Sequence, residues 1–299
     1  MRVIVSGASG LVGSHVVPRL RELGHEVQSL VRRPIQRDEI RWYPDQGVLP
    51  ENLLAGCNGV VHLSGENIAS GRWTAAKKRQ ILDSRVQSTR LLAECLSRLQ
   101  PRPQVLVSAS AIGFYGDRGD APLEEDAVAG HGYLADVCRQ WEDATQPAID
   151  AGIRVVKLRI GVVLSQAGGA LQRMLLPFRM GVGGILGNGK QYMSWITLED
   201  LVGVICHSLT DTSLQGPVNG VAPHPVPNRV FTKALGRALH RPTVFPLPGF
   251  VARLMLGEMA DELLLASTRV VPGKLIAVGY PFRHAEIDAA LSHCLREMP

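Results

Sequence analysis

Short apolar runs alternate with segments of helical periodicity along the first half of the chain. Strands that read as nearly continuous Val, Ile and Leu are typical of a parallel sheet, because helices cover both of its faces. The pattern predicts a parallel α/β domain over residues 1–165. The runs that predict its strands are residues 3–5, 26–31, 59–63, 104–108 and 154–160.

Two helices are predicted between these strands. Apolar residues recur at close to helical spacing from residue 12 to residue 23, and Gly24 follows where a helix C-cap belongs. Pro18 conflicts locally with this helix, because proline lacks a backbone donor. A longer helix is predicted over residues 75–98.

The second part of the chain has a different pattern. Residues 181–190, 222–227 and 245–249 are rich in glycine and proline, with short helical stretches between them. We predict a small α+β lobe over residues 166–299 that binds substrate, while segments around 190–222 complete the sheet of the first domain.

Composition narrows the functional class. The 299 residues are 45% hydrophobic and 20% charged, as in ordinary globular proteins. Neither a membrane-spanning apolar run nor the apolar region of a signal peptide is present, so we predict a cytoplasmic protein without a membrane partner. The five cysteines lack metal-site spacing, and no metal site is predicted. The net charge of +5 comes from scattered residues, and no nucleic-acid partner is expected.

A glycine-rich motif follows the first predicted strand. Gly7, Gly10 and Gly13 have the spacing G-x-x-G-x-x-G at the start of a helix. Such glycines allow a tight turn and close approach of a pyrophosphate, which the N–H groups of the helix N-terminus bind. A tight turn without a ligand is the alternative. The predicted contacts to the dinucleotide are Gly7, Ser9, Gly10, Leu11, Val12 and Gly13.

The end of the second strand indicates which dinucleotide is bound. A carboxylate there would bind the adenosine ribose hydroxyls and repel a 2′-phosphate. The sequence has Arg32 and Arg33 instead, whose guanidinium groups can bind a phosphate dianion. The predicted cofactor is NADP(H); two solvated loop arginines are the alternative.

Further motifs are spread over nearly the whole chain: HLSGENI, ILDSR, VSASAIGFYGDRGD, LADVCRQWE, RIGVVLS, LLPFRMGVGG, GNGKQYMSWITLEDL and NGVAP. Together with GASGLVGSHV they resemble the extended and atypical short-chain dehydrogenases/reductases, the superfamily of the NAD-dependent epimerases and dehydratases. The chain most closely resembles the subgroup called epimerase family proteins (short-chain dehydrogenase/reductase family 39U).

The resemblance implies a Rossmann-type doubly wound parallel sheet and a nicotinamide cofactor, and leaves the reaction unassigned. By the same similarity, Asp200 is a structural carboxylate that fixes the second lobe. Ser108 leaves the strand edge where ligands bind in such sheets. The further residues expected near the cofactor are Leu63, Ser64, Gly65, Glu66, Ser108, Gly161 and Val162.

The expected catalytic residues depart from the family pattern. The resemblance implies a catalytic serine at Ser110 and a tyrosine, either Tyr133 or Tyr115. A lysine normally follows the tyrosine by four residues and lowers its pKa, but Val137 occupies that position after Tyr133. Four groups are considered as substitutes: Lys157, Arg159, Glu66 and the thiolate of Cys138. The alternative is slow hydride transfer with Ser110 and water, on a substrate that needs little acid assistance.

Two functions therefore stay open. One is an NADP(H)-dependent oxidoreductase or nucleotide-sugar-epimerase-like enzyme, acting on an unidentified small molecule and able to form a homodimer. The other is a non-catalytic NADPH-binding redox sensor or regulatory interaction protein. Lys190, Tyr192 and Trp195 are the predicted substrate contacts, suited to a phosphorylated or aromatic ligand, with packing of the lobe as the alternative for Trp195.

Overall fold

The computed structural model describes residues 1–296. Its strands are β1 Arg2–Ser6, β2 Glu26–Val31, β3 Glu39–Arg41, β4 Gly59–His62, β5 Val105–Ala111, β6 Pro122–Leu123, β7 Arg154–Ile160, β8 Val162–Leu164, β9 Tyr192–Met193, β10 Trp195–Thr197, β11 Gly216–Gly220, β12 Val226–Pro227 and β13 Arg269–Val270.

Its helices are α1 Gly13–Glu22, α2 Glu51–Leu54, α3 Ala75–Arg98, α4 Tyr133–Asp143, α5 Gln146–Asp150, α6 Gly169–Arg179, α7 Leu198–Thr210, α8 Asn228–Leu239, α9 Gly249–Leu256, α10 Glu258–Ala260, α11 Gly273–Ala277 and α12 Ile287–Arg296. None of these helices is long and apolar enough to cross a membrane.

Seven parallel strands form the central sheet, in the order β11-β7-β5-β4-β1-β2-β3. The chain proceeds outward from β1 in one direction and from β4 in the other. The strand order therefore reverses between β1 and β4, and a crevice opens there at the carboxyl ends of the strands. This arrangement confirms the predicted doubly wound Rossmann-type fold.

The sheet is covered on both faces. Val3 and Val5 of β1 pack on the side of α1 and α7, whereas Ile4 packs on the opposite side with Leu92 and Leu96 of α3. Adjacent strand residues point to opposite faces, so a strand buried on both sides must be apolar throughout. This explains why the apolar runs identify the strands well.

A second core lies outside the sheet. It contains Leu164, Trp195 and Phe231, and it joins β8 and β10 to α6, α8 and α12. One of the two edge strands of the central sheet, β11, comes from this later part of the chain. The domain division at residue 165 stays a prediction.

One strand is longer than the sequence pattern indicates. Pairing of β5 with β7 continues through Ser110 and Ala111, which lie opposite Arg159 and Ile160. Ser108 and Ser110 are therefore buried within the strand, whereas the apolar run ends at residue 108. The serines have partners inside the protein, which makes their burial acceptable in a strand.

Candidate active site

A cleft of about 850 Å³ lies at the carboxyl ends of β1, β2 and β4. Residues of α3 close its remaining side, among them Arg79, Asp83 and Ser84. Of the predicted cofactor contacts, nine line this cleft: Gly7, Ser9, Gly10, Arg32, Arg33, Leu63, Ser64, Gly65 and Glu66.

The turn after β1 requires glycine at two positions. Gly7 has φ +71°, and a Cβ there would lie 2.7 Å from the carbonyl carbon of Leu63. A Cβ on Gly13 would lie 2.2 Å from the carbonyl oxygen of Gly7. Any side chain would force the turn, the end of β4 and the start of α1 apart. Leu11 and Val12 lie behind the turn and pack on the sheet core.

The start of α1 suits an anion. Its first turn contains no acidic residue, and no described side chain caps it. The N–H groups at the start of a helix point outward and carry partial positive charge. The bare turn and these N–H groups fit a pyrophosphate, as predicted from the glycine motif.

Arg32 and Arg33 have different surroundings at the end of β2. The Arg33 guanidinium donates to both carboxylate oxygens of Glu39, at 2.9 and 2.5 Å. The Gln36 N–H, and then Arg33, hold the pKa of Glu39 below its ordinary value. Arg32 is exposed in the cleft, and it takes part in none of the ion pairs among the described residues. Of these two arginines, Arg32 is therefore the one whose guanidinium is available to a ligand.

Arg85 of α3 reaches the end of β4 beside the cleft. A Cβ on Gly65 would lie only 3.1 Å from its guanidinium carbon. The guanidinium lies 5.0 Å from the centre of the Trp141 ring on α4, and it donates to the Ile81 carbonyl at 3.1 Å. Burial lowers the pKa of Arg85 below the usual arginine value. The sequence prediction missed this residue, although it lies in the family motif ILDSR.

Ser110 belongs to a buried polar network. Its hydroxyl donates to Glu142 Oε1 at 2.8 Å. Arg159 holds the same carboxylate with two bonds, Nε to Oε1 at 2.8 Å and one terminal nitrogen to Oε2 at 2.9 Å. All three residues are buried, so the ion pair fixes the orientation of the Ser110 hydroxyl.

Tyr115 lies deeper in this network and is fully buried. Its hydroxyl accepts a bond from Arg159 at 2.9 Å and donates to Asn219 Oδ1 at 2.7 Å. Burial raises the pKa of the phenol. Its hydroxyl lies outside the cofactor cleft and is held by these two bonds, so a catalytic role for Tyr115 stays a prediction without support from the geometry.

Tyr133 begins α4 and is half-buried. Its hydroxyl donates to the Lys78 carbonyl at 2.6 Å, and its ring lies edge-on to Trp73. Burial raises the pKa of Tyr133 to about 12, which makes it a poor base near neutral pH. Val137 occupies the position of the family's lysine, four residues after Tyr133, and it is buried in the protein interior.

Each of the four groups proposed to replace the lysine has a different environment in the structure. Burial raises the pKa of the Cys138 thiol to about 12, which disfavours a thiolate. Arg159 is paired with Glu142, and Glu66 with Lys77 at 2.5 Å. Lys157 is half-buried on β7.

His62 ends β4 and is completely buried. Its Nδ1 lies 2.6 Å from Ser6 Oγ, and its Nε2 lies 2.9 Å from Thr89 Oγ1. Burial lowers the pKa of the imidazole to about 4, so the ring is neutral near pH 7. It joins β1, β4 and α3 directly beneath the cleft.

The remaining predicted contacts lie outside this cleft. Ser108 is buried in β5, and Val162 packs on the second core. Gly161 lies against the backbone of Ser194, where a Cβ would be 2.6 Å from the carbonyl oxygen.

The predicted substrate contacts differ in burial and in their partners. Lys190 is exposed, and Tyr192 is half-buried with the Arg269 guanidinium 4.9 Å from its ring centre. Trp195 is fully buried, and its Nε1 donates to the His224 carbonyl at 3.1 Å. The prediction of Trp195 as a substrate contact is corrected, because its ring packs the lobe and presents no surface to a ligand.

A smaller cleft of about 230 Å³ borders the start of α4. Glu262 lines it and accepts the N–H groups of Tyr133 and Leu134, each at 3.1 Å. Its other polar residues include His131, Arg253 and Asp261. No spacing in the sequence indicated these residues, because segments near 131 and 262 meet only in the folded protein.

Comparisons with known proteins agree with this geometry. Residues 3–219 match the NAD dependent epimerase/dehydratase family, and residues 247–294 match a domain of unknown function, DUF1731. An epimerase family protein of Mycobacterium tuberculosis is 43% identical over 292 residues, which cover 97% of this chain and 96% of the relative.

Two solved structures are similar over nearly the whole chain. The crystal structure of human epimerase family protein SDR39U1 (isoform 2) with NADPH has a TM-score of 0.92 and 34% identity, and each chain is covered completely. The nucleoside-diphosphate sugar epimerase from Corynebacterium glutamicum has a TM-score of 0.81 and 35% identity, covering 99% of this chain and 58% of that one. The chain thus belongs to the NAD dependent epimerase/dehydratase family, in the group of epimerase family proteins that includes human SDR39U1.

Proposed function

We propose that this protein binds NADP(H) and acts on a small molecule as an NADP(H)-dependent oxidoreductase or nucleotide-sugar-epimerase-like enzyme. The observation that carries the proposal is the cleft. The glycine turn and the start of α1 lie at one end of it, and Arg32, which has no ion-pair partner in the described part of the chain, lies at the other. A pyrophosphate fits the first and a 2′-phosphate the second. The NADPH in the crystal structure of human SDR39U1 supports the same cofactor.

The order of strands supports a position for the other half of the cofactor. In a doubly wound sheet the second nucleotide lies across the strands beyond the reversal, here β4 and β5. When bound, the cofactor supplies or accepts a hydride at its nicotinamide ring. Arg85 lies at the end of β4, where its fixed cation can bind the ribose on that side. We therefore assign to Arg85 the binding role of the absent lysine.

Ser110 is the residue proposed to meet the substrate oxygen. Because its proton is directed to Glu142, its oxygen lone pairs can accept a hydrogen bond from a substrate hydroxyl. The Glu142–Arg159 pair holds the serine in this orientation. Tyr133 is at most a donor in this scheme, because its pKa is raised.

A second candidate function is a non-catalytic NADPH-binding redox sensor or regulatory interaction protein. The specific observation in its favour is that Ser110 is only 2% exposed and that the hydroxyls of Ser110 and Tyr133 are already bonded within the protein. Either hydroxyl must give up or share its bond before it can act on a substrate.

Two measurements test the proposal. We expect NADP⁺ to raise the melting temperature more than NAD⁺ does at matched concentrations, and equal or greater stabilisation by NAD⁺ would refute the cofactor assignment. Incubation with NADPH and a broad panel of aldehydes and ketones should then reveal NADPH consumption, or incubation with NADP⁺ and nucleotide sugars should reveal an epimerised sugar without net change of the cofactor; Ser110→Ala should abolish either activity without loss of cofactor binding. Tight binding without turnover across the panel would favour the regulator.

The cytoplasmic location and the homodimer also stay proposals. Helix α9 exposes Phe250, Leu254 and Met255, each more than 60% accessible. Subunit interfaces bury apolar surface of this kind. Sedimentation velocity would test the dimer, and a monomer at all protein concentrations would contradict it.

A further inference from the structure

Two histidines and a glutamate meet far from the cofactor cleft. Glu199 lies in the first turn of α7, His284 precedes α12, and His293 lies within α12. The Nε2 atoms of His284 and His293 each lie 3.3 Å from the same Glu199 oxygen, Oε2. The two imidazole rings stack with centres 4.2 Å apart and planes inclined by 27°.

His284 Nε2 is within hydrogen-bond distance of Glu199 Oε2, and the same spacing also suits the ligands of a shared ion. Charge-assisted bonds from imidazole to carboxylate are about 2.7–2.9 Å long. In a tetrahedral zinc site with bonds of about 2.0–2.1 Å, neighbouring ligand atoms are about 3.3 Å apart. Both of the histidine–carboxylate distances have this second value, and the three ligand atoms all lie within 4.8 Å of one another.

Hydrogen bonds within the protein hold the backbone around the cluster in place before an ion binds. The buried Asp200 carboxylate accepts the N–H of Arg283 at 2.9 Å and the N–H of His284 at 3.0 Å. The Arg283 guanidinium contacts the other Glu199 oxygen, Oε1, and so turns Oε2 towards the imidazoles. Bonds of this kind orient ligands in metal sites.

We propose that Glu199, His284 and His293 bind a zinc-type divalent transition metal ion, with water as the fourth ligand. Two imidazoles and one carboxylate suit Zn²⁺, Co²⁺ or Ni²⁺, whereas Mg²⁺ and Ca²⁺ prefer oxygen ligands only. The side chains are 16–37% exposed, so an ion can reach them from solvent.

The position of the site indicates its role. None of the three residues lines either cleft, and the ion would join α7, which packs on the Rossmann sheet, to the segment matched by DUF1731. The metal therefore acts as a structural connection between the sheet and the C-terminal lobe, independent of the cofactor proposal.

Metal binding is tested on the full-length protein after treatment with a chelator. Titration with ZnCl₂ near neutral pH, followed by calorimetry, should give one ion per chain, and zinc should raise the melting temperature. Glu199→Gln, His284→Ala and His293→Ala should each weaken binding by more than about ten-fold. His224→Ala is the matched control, because its imidazole pairs with a single carboxylate, Glu286, at 2.7 Å; it should bind zinc like the wild type.

Wild-type protein loaded with Co²⁺ should show the visible absorption of a four-coordinate site, which decides the matter if a histidine variant fails to fold. NADP⁺ binding by each variant serves as the check on folding. Absence of zinc uptake by the wild type, or unchanged uptake by the His284→Ala/His293→Ala double variant, would overturn the proposal, and direct hydrogen bonds would then account for the cluster.

Discussion

At the scale of residues, Arg32 and Arg33 show how neighbours of the same type can differ. Glu39 neutralises much of the Arg33 charge, whereas Arg32 has no described charge partner. The sequence predicted that at least one of the two arginines binds a phosphate, but it could not distinguish them. Glu39 lies on β3, and its pairing with Arg33 depends on how the intervening turn folds.

We predict that Arg32→Gln weakens NADP⁺ binding by about ten-fold, because one charge-assisted bond to the 2′-phosphate is lost. NAD⁺ affinity should be unchanged, since NAD⁺ lacks this phosphate. Isothermal titration with both cofactors measures the difference, and Arg33→Gln is the control with a smaller effect. Equal losses for NAD⁺ and NADP⁺ would show that Arg32 does not bind the 2′-phosphate.

The buried His62 should make stability depend on pH. Its folded-state pKa of about 4 lies below the unfolded value of about 6.5, so protonation favours unfolding. The stabilisation is fully present above about pH 6.5 and is lost as the pH falls towards 4, by about 3 kcal/mol. Urea unfolding across this range should show the loss, and His62→Gln should flatten the profile. An equally steep profile in the variant would assign the effect to other groups.

At the scale of elements, the predictions for β2, β7 and α3 match the observed bounds, because long apolar or helical patterns identify such elements. The two-residue strands β6, β9, β12 and β13 were not predicted. Elements this short contain no repeating pattern, and they form only because a partner segment lies beside them.

The close approach of Gly13, at the start of α1, to the turn after β1 gives a prediction. Gly13→Ala should abolish dinucleotide binding and destabilise the protein, because its Cβ would lie 2.2 Å from the Gly7 carbonyl oxygen. Gly10→Ala is the milder control, with 3.3 Å to the same oxygen. Cofactor titration and thermal unfolding measure both variants, and equal behaviour of the two would contradict the steric argument.

Helix α3 supplies a second prediction at this scale. Arg85→Met should weaken NADPH binding by about ten-fold, through loss of the proposed bonds to the nicotinamide ribose, and Arg85→Lys should restore part of it. In Arg85→Met, binding of 2′-phospho-ADP-ribose, which lacks the nicotinamide, should change little. The control variant is Lys190→Met, because Lys190 lies outside the cleft. A similar loss for both ligands would indicate that Arg85 only supports the fold.

Only part of the candidate site could be predicted from the sequence, because only part of it lies within local motifs. Local motifs identified the glycine turn, the arginine pair and the loop after β4. Arg85 and Glu142 lie in the motifs ILDSR and LADVCRQWE, but their contacts form only once α3 and α4 pack together. Glu262 reaches the start of α4 from a segment distant in sequence.

At the scale of the whole molecule, Asp200 links the sheet to the C-terminal lobe. Its carboxylate accepts the backbone N–H groups of Arg283 and His284, and Tyr280 donates to its carbonyl at 3.1 Å. The sequence comparison with the family indicated a structural carboxylate here. The folded structure identifies the backbone that this carboxylate holds.

We predict that Asp200→Asn lowers the free energy of unfolding by about 2–3 kcal/mol, because an amide can accept only one of the two N–H bonds that the carboxylate accepts from Arg283 and His284. NADP⁺ affinity should be unchanged, since Asp200 lies outside the cofactor cleft. Urea unfolding and titration measure the two quantities, and Asp211→Asn at the other end of α7 is the control. A loss of cofactor affinity without a loss of stability would contradict the structural role.

The separation of Arg32 from the fold has an evolutionary consequence. Its exposed side chain lies on a surface segment between two strands and takes part in no ion pair among residues 1–296, so its replacement removes little buried area. Because folding places little demand on position 32, a preference between phosphorylated and unphosphorylated dinucleotides is expected to change there through single substitutions.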